Sequence, residues 1–251
     1  MESNDRRTRI LVAGAIGALS ALVVAISDIL LLGIDASGSE AAEKEIRELV
    51  ADKGGVELLL GAFGAYGIFL LIVGYWHWYT AAKPEARRGM IVALGFLAAG
   101  LVSGGLFHFA LGPIGLAMNE SAGEIDPAVS DEIYDALAYQ YIVPLYAVAM
   151  GCIAIASVIF IYQVVRGRTY FPRWFALSAP LCIWPLSSVI TYLLPAPIGG
   201  FAISSFHWPT IVAFLLSTHL LLARRPVGDT VDTAPGPDGS VPERLPEPQM
   251  R

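Results

Sequence analysis

A chain of 251 residues that is 55% hydrophobic, only 15% charged and −6 in formal charge cannot cover a water-facing surface of its size with polar groups. A mean hydropathy of +0.61, together with several apolar runs of about 20 residues, points to an all-α polytopic transmembrane bundle. The short alternating segments of a membrane β-barrel are missing, and no basic patch suggests a nucleic-acid partner.

In chain order, a polar and basic stretch over 1–9 precedes a first span over 10–32, expected as a retained helix because it is too long for a signal-peptide core. An outer loop over 33–56 follows. Within it Ser37 and Glu40 have capping-box spacing ahead of a short amphipathic helix that ends at Gly54-Gly55. The second span, 57–79, closes in a cluster of Trp and Tyr, residues that concentrate at the membrane–water boundary, and His77 is read as part of that belt. A basic turn leads to the third span, 89–111, expected to stop at Gly112-Pro113. The second outer loop, 113–138, is acidic, and Asp126-Pro127 reads as an N-cap followed by proline at the first helical position. The fourth span is 139–165. The fifth, 174–194, carries Pro180 and Pro185 and is expected to kink, and the sixth is 200–223. Residues 226–251 are proline-rich and polar, the composition of a disordered tail. Cys152 and Cys182 both fall inside apolar runs and read as reduced core residues.

Six spans sort the basic residues by side. Arg6, Arg7, Arg9, Lys83, Arg87, Arg88, Arg166, Arg168, Arg173, Arg224 and Arg225 fall on one side, against Lys44, Arg47 and Lys53 on the other. The excess of Lys and Arg on cytoplasmic loops then predicts both termini inside a cell membrane.

Threading that topology brings three ionisable residues to one level. Asp28 near the end of the first span, His108 near the end of the third and His207 early in the sixth all lie about 6–10 Å below the outer boundary at 1.5 Å per residue. Each also shares a helix face with small or hydroxyl residues. Asp28 follows Gly17 and Ala21, His108 follows Gly100 and Gly104, and His207 lies between Ser204 and Thr210. Such faces pack against other helices rather than lipid. An ionisable side chain inside the apolar region is unfavourable unless paired, so the trio is a candidate ligand- or ion-binding site. Glu57, Tyr139, Tyr141, Ser204 and Ser205 share its depth and are candidate surrounding groups.

A carboxylate and two imidazoles could hold zinc with a bound water, making a lipid-active metal-dependent enzyme one alternative. Bis-histidine haem ligation through His108 and His207 is another. A hydrogen-bonded structural knot in a non-catalytic membrane scaffold is a third. His219, twelve residues beyond His207, is too far along the helix to join them. No phosphate-binding glycine loop, G-x-S-x-G or H-E-x-x-H sequence is present, and all three lysines lie in loops.

The runs SDILLLG (27–33) and GYWHWY (74–79) resemble uncharacterised bacterial six-helix integral membrane proteins grouped as a domain of unknown function. In that group an acidic residue near the end of the first helix and an aromatic–His ending on the second recur. The resemblance spans roughly the first third of the chain and implies no activity. Intramembrane hydrolases of the alkaline-ceramidase kind share the residue types Ser, Asp and His, but they have seven spans and a close His pair on the last, which His207 and His219 do not match.

Overall fold

The computed structural model of the chain describes residues 2–32, 53–121, 127–195 and 206–223. Among these residues every named element is a helix. They are α1 (Glu2–Leu32), α2 (Gly55–Ala62), α3 (Gly64–Thr80), α4 (Arg87–Ser121), α5 (Pro127–Leu137), α6 (Val143–Val165), α7 (Pro180–Tyr192) and α8 (His207–Ala223). Four stretches are long and apolar enough to cross a membrane: Asn4–Leu31, Gly55–Thr80, Pro84–Leu116 and Tyr134–Val165. The fifth and sixth expected spans are represented by the shorter apolar helices Pro180–Ile190 and His207–Ala223.

Several expected boundaries move, each through local backbone chemistry. α4 does not stop at Pro113 but carries it inside the helix as far as Ser121. Proline removes one backbone donor, and a helix held by neighbours on its flank tolerates that loss. The neighbour here is α2, which approaches so closely that a Cβ on Gly112 would lie 3.0 Å from the Leu58 carbonyl. Most of the expected loop 113–138 is therefore helical, and α5 opens at Pro127, where a missing N–H is harmless. A π-helical turn, Ala138–Ile142, joins α5 to α6.

The fifth span starts later than expected. Residues Arg173–Ser178 form 3-10 turns, Ala179 is extended, and α7 begins at Pro180. The residue before a proline is pushed out of the helical region, so Pro180 starts a helix while Pro185 sits within one. Ser157 on α6 accepts the Leu181 N–H at 3.3 Å, capping a donor that α7 leaves free. Residues 33–52, with the expected surface helix, and the tail from 224 onward lie outside the described residues.

The six long or apolar helices close into a ring. α1 packs on α3 and α8, α3 on α4, α4 on α6, and α7 lies against both α6 and α8. Small residues set the tightest approaches. A Cβ on Gly74 of α3 would lie 2.5 Å from the Gly17 Cα of α1, and one on Gly100 of α4 would lie 2.9 Å from the Ala149 carbonyl of α6. Outward faces carry exposed apolar side chains, including Leu19, Ile91 and Val158, as lipid-facing surfaces do.

The interior divides into two apolar clusters. The larger includes Trp78, whose ring stacks on Phe160 at 4.0 Å, with Phe171 and Phe175 beside them. The smaller comprises Leu31, Leu58, Leu111, Ile114 and Ile142 at the opposite end.

At the end of the larger cluster the two basic turns meet. Ala82 and Thr169 form an antiparallel bridge, Lys83 Nζ donates to the Gly167 carbonyl at 2.8 Å, and Gly167 adopts a φ of 68° that only glycine takes readily. The start of α1 reaches the same end, because the Ile10 carbonyl bonds to His77. His77 is accordingly no belt residue. It is 1% exposed, with Nε2 on the Ile10 carbonyl at 2.9 Å and Nδ1 against Ser217 Oγ at 2.7 Å, so it ties α1 and α8 to α3.

If the Gly17–Gly74 approach sets the α1–α3 spacing, Gly74→Ala should destabilise the protein by about 1–3 kcal/mol, since an added methyl there forces backbones apart. Gly151→Ala, whose Cβ meets nothing within 4 Å, should stay within about 0.5 kcal/mol of the parent. Unfolding titrations in micelles check the pair, and equal effects would refute the close-packing account.

Candidate functional site

Between the two apolar clusters three helices deliver three polar groups. Asp28 sits on the buried stripe of α1 with Ala21, Val24, Ala25 and Leu31, positions spaced by three, four and seven residues. Its carboxylate would be stranded in hydrocarbon without partners, and two imidazoles meet it. His108 Nε2 from α4 lies 2.8 Å from Oδ1, and His207 Nε2, from the first residue of α8, lies 3.2 Å from Oδ2. Each carboxylate oxygen thus serves one ring. A carboxylate only accepts, so both Nε2 atoms carry the shared hydrogens and each Nδ1 is left to find its own partner.

Neighbouring residues fix these orientations. Ser27 Oγ donates to the Gly61 carbonyl at the end of α2, locking the rotation of α1 beside Asp28. The His108 ring rests against Gly64 at the start of α3, where an added Cβ would lie 2.6 Å from its Cε1 and would also strike Ser27. On α8, Thr210 donates to the Phe206 carbonyl at 2.7 Å and pairs with the Tyr75 hydroxyl.

The trio borders a cavity of about 220 Å³ within the ring, to which α1, α3, α4, α6, α7 and α8 all contribute. Its wall is mainly apolar, with Leu71, Leu97, Leu101, Met150 and Ile153 among the lining residues, and its polar side holds Asp28, His108, His207, Tyr75 and Thr210. Two lining residues keep unsatisfied atoms: the Nδ1 of His108, a residue 4% exposed, and the Nε1 of Trp184 on α7 are buried without hydrogen-bond partners. Buried polar atoms are nearly always bonded, so an orphan needs a reason.

The residues expected around the trio divide. Glu57 is exposed and turns its carboxylate back to the Gly54 N–H at 2.9 Å, so it caps α2 instead of reaching inward. Tyr139 and Tyr141, 72% and 58% exposed, face away from the ring. Equal depth had suggested them, but depth along a helix does not fix facing, and the π-helical turn they occupy changes the facing further. Ser204 and Ser205 lie outside the described residues. Spacing along α4 had also not revealed that the seat of His108 is Gly64 on another helix, nor that Tyr75 and Trp184 line the same cavity.

Two of the alternative chemistries fit this arrangement poorly. Among the described residues no group of three or more His, Cys, Asp or Glu side chains is placed to hold a metal ion. Asp28, His108 and His207 stand as two hydrogen-bonded pairs on one carboxylate, not as three donors around a common point, the zinc-type arrangement that their shared depth and facing had suggested. The same contacts occupy the Nε2 atoms of both His108 and His207, leaving neither set for axial haem ligation.

A family model matches residues 1–221, from the start of α1 to the last turn of α8. The chain belongs to DUF6796, a family of unknown function. The match reaches far beyond the first third of the chain and takes in every helix that lines the cavity. No curated protein and no solved structure matches this DUF6796 member.

Removing the carboxylate strands two imidazoles, and breaking a buried pair from one side costs about 3–5 kcal/mol. Asp28→Leu should therefore lower stability by roughly that amount. Asp28→Asn keeps the shape and one acceptor, with one imidazole switching tautomer, and should lose less than half as much. Paired unfolding titrations measure both, and a harmless Asp28→Leu would show that the contacts carry no stability.

Proposed function

We propose that this DUF6796 member is a six-span cell-membrane protein, both termini cytoplasmic, that binds a small ligand at the Asp28–His108–His207 site near the outer leaflet. Four helices of spanning length and two shorter apolar ones closing one ring support the span number. The orientation rests on basic residues gathered at one end, where the turns of Lys83 and Arg168 hydrogen-bond to each other. The observation that carries the binding reading is the cavity itself: a space of about 220 Å³ with a mainly apolar wall, lined at one side by Asp28, His108 and His207. A concave, mainly apolar space with a few convergent polar groups is the usual form of a small-molecule site.

The second reading is structural, because both oxygens of Asp28 already have partners and the trio bridges α1, α4 and α8. Ion passage is a third outcome, with the cavity as a midway chamber. The lipid bilayer is the partner common to all three, and a metal-dependent lipid enzyme is the reading that this geometry favours least.

Orientation is checked by single-cysteine labelling in intact cells, in a Cys152→Ala/Cys182→Ala background. An impermeant maleimide should label Glu132→Cys directly and Glu85→Cys only after permeabilisation. The reverse pattern overturns the assignment.

Binding is checked in nanodiscs by the unfolding temperature with 1-octanol, octanoic acid, octylamine, sodium or zinc. At least one of these should stabilise the parent and fail to stabilise Gly104→Leu, whose side chain would grow into the cavity from a position where a Cβ meets only ordinary contacts at 3.8 and 3.9 Å. If none does, the structural reading stands and the binding proposal fails.

A further inference from the structure

We infer that the basic end of α6 holds one anionic phospholipid, its phosphate on the Arg166 and Arg168 guanidiniums beside Tyr162 and an acyl chain along the outer face of the helix. The site depends on the membrane setting of the helices and not on the cavity or its ligand.

Three observations carry it. The first is how the end of the helix is built. α6 closes in a Schellman turn, in which the Gly167 N–H bonds to the Val164 carbonyl at 2.9 Å and the Arg168 N–H to the Gln163 carbonyl at 2.9 Å, with Gly167 at a φ of 68°. That turn folds the chain back on the last turn of α6. Arg166 and Arg168 both return to one ring, with their guanidinium carbons 6.0 and 5.5 Å from the Tyr162 centroid. The other basic turn holds this arrangement in place. Lys83 donates its backbone N–H to the Arg168 carbonyl at 3.1 Å and its Nζ to the Gly167 carbonyl at 2.8 Å.

The second is charge. Among the described residues neither guanidinium has an ion pair or donates a hydrogen bond, and at this end Asp5 is taken by Arg9. The C-terminus of a helix carries only about half a negative charge, so two guanidiniums leave the site positive. Each presents N–H groups in a fork that matches phosphate oxygens. A zwitterionic headgroup would bring its ammonium against the same two cations, which favours a headgroup without an amine.

The third is continuity with an apolar surface. Trp174 and Leu177, in the 3-10 turns that follow, are more than half exposed, and Tyr162 is nearly so. Exposed Trp and Tyr gather at the level of the lipid headgroups. From Tyr162 the same face of α6 continues through exposed Val158, Ile155 and Gly151 at steps of three and four residues, and a Cβ on Gly151 would meet nothing within 4 Å. An apolar track therefore runs from the arginines toward the middle of the span. A phospholipid matches both parts, whereas a soluble phosphate would meet only the first.

Native mass spectrometry tests the site on full-length protein in detergent, titrated with dioleoyl phosphatidylglycerol, dioleoyl phosphatidylcholine or glycerol phosphate. The expected result is one saturable phosphatidylglycerol, bound about tenfold more tightly than phosphatidylcholine, and no stable adduct of glycerol phosphate. Arg166→Gln/Arg168→Gln should weaken phosphatidylglycerol binding by about tenfold or more, the share of a hydrogen bond to a charged group. Arg6→Gln/Arg7→Gln removes the same two charges from exposed positions at the start of α1 and should stay within about twofold of the parent, because exposed charges away from the site are screened by salt. The unfolding temperature in phosphatidylcholine alone reports whether each variant is folded. If the first pair fails to fold, Arg166→Gln alone, at an exposed position, supplies the measurement.

Equal losses in the two double variants would show diffuse attraction to the basic end and overturn the site. Equal affinity for the two lipids overturns its preference for an anionic headgroup. Glycerol phosphate bound as tightly as phosphatidylglycerol overturns the lipid in favour of a soluble phosphate.

Discussion

One carboxylate shared by two imidazoles is the constraint on which the interior depends. Asp28 lies in the apolar part of α1, where water cannot solvate it, and a lone charge there would be prohibitively unfavourable. Its two oxygens are met by His108 and His207, which come from positions 80 and 179 residues further along the chain (108 − 28 and 207 − 28). Satisfying that one group requires α1, α4 and α8 to come together at a single level. The trio is thus both a fastener of the bundle and the polar wall of its cavity. Pairing of this kind constrains a bundle strongly in hydrocarbon, where apolar side chains have no preference between lipid and one another.

The opposite end is held by different means. There His77 spends both ring nitrogens, one on a backbone carbonyl of α1 and one on Ser217 of α8. The contrast between the two buried histidines is informative. His77 is saturated, as a structural histidine should be, whereas His108 has one nitrogen bonded and one left over. Between the two ends, Phe214 fills the space against Gly17 and Gly74, so the helices approach most closely between two polar nodes.

The DUF6796 match spans residues 1–221, which include all the cavity-lining helices. No motif marks the cavity in the linear sequence. Its polar lining is contributed one or two residues at a time by α1, α3, α4, α6, α7 and α8.

What could be read from the sequence alone was whatever depends on one helix at a time. Apolar run length gave the all-helical class and helices long enough to cross a membrane, because a bilayer imposes a length on each span separately. The stripe of small residues around Asp28 and His108 indicated inward faces, because helical periodicity is local. Proline placement was legible only in part: Pro127 opens a helix as expected, but Pro113 is carried within one because α2 buttresses it, and Pro180 starts α7 because the chain before it is extended. Tertiary structure alone decided the rest. Depth could not distinguish His108, which turns inward, from Tyr139 and Tyr141, which turn out, since facing across the π-helical turn depends on the packing of its neighbours. It also could not show that His77 is buried, that Gly64 seats the His108 ring, or that Trp184 and His108 line one cavity. Each of those is a distance between helices far apart in the chain, and no pattern within a single helix encodes such a distance.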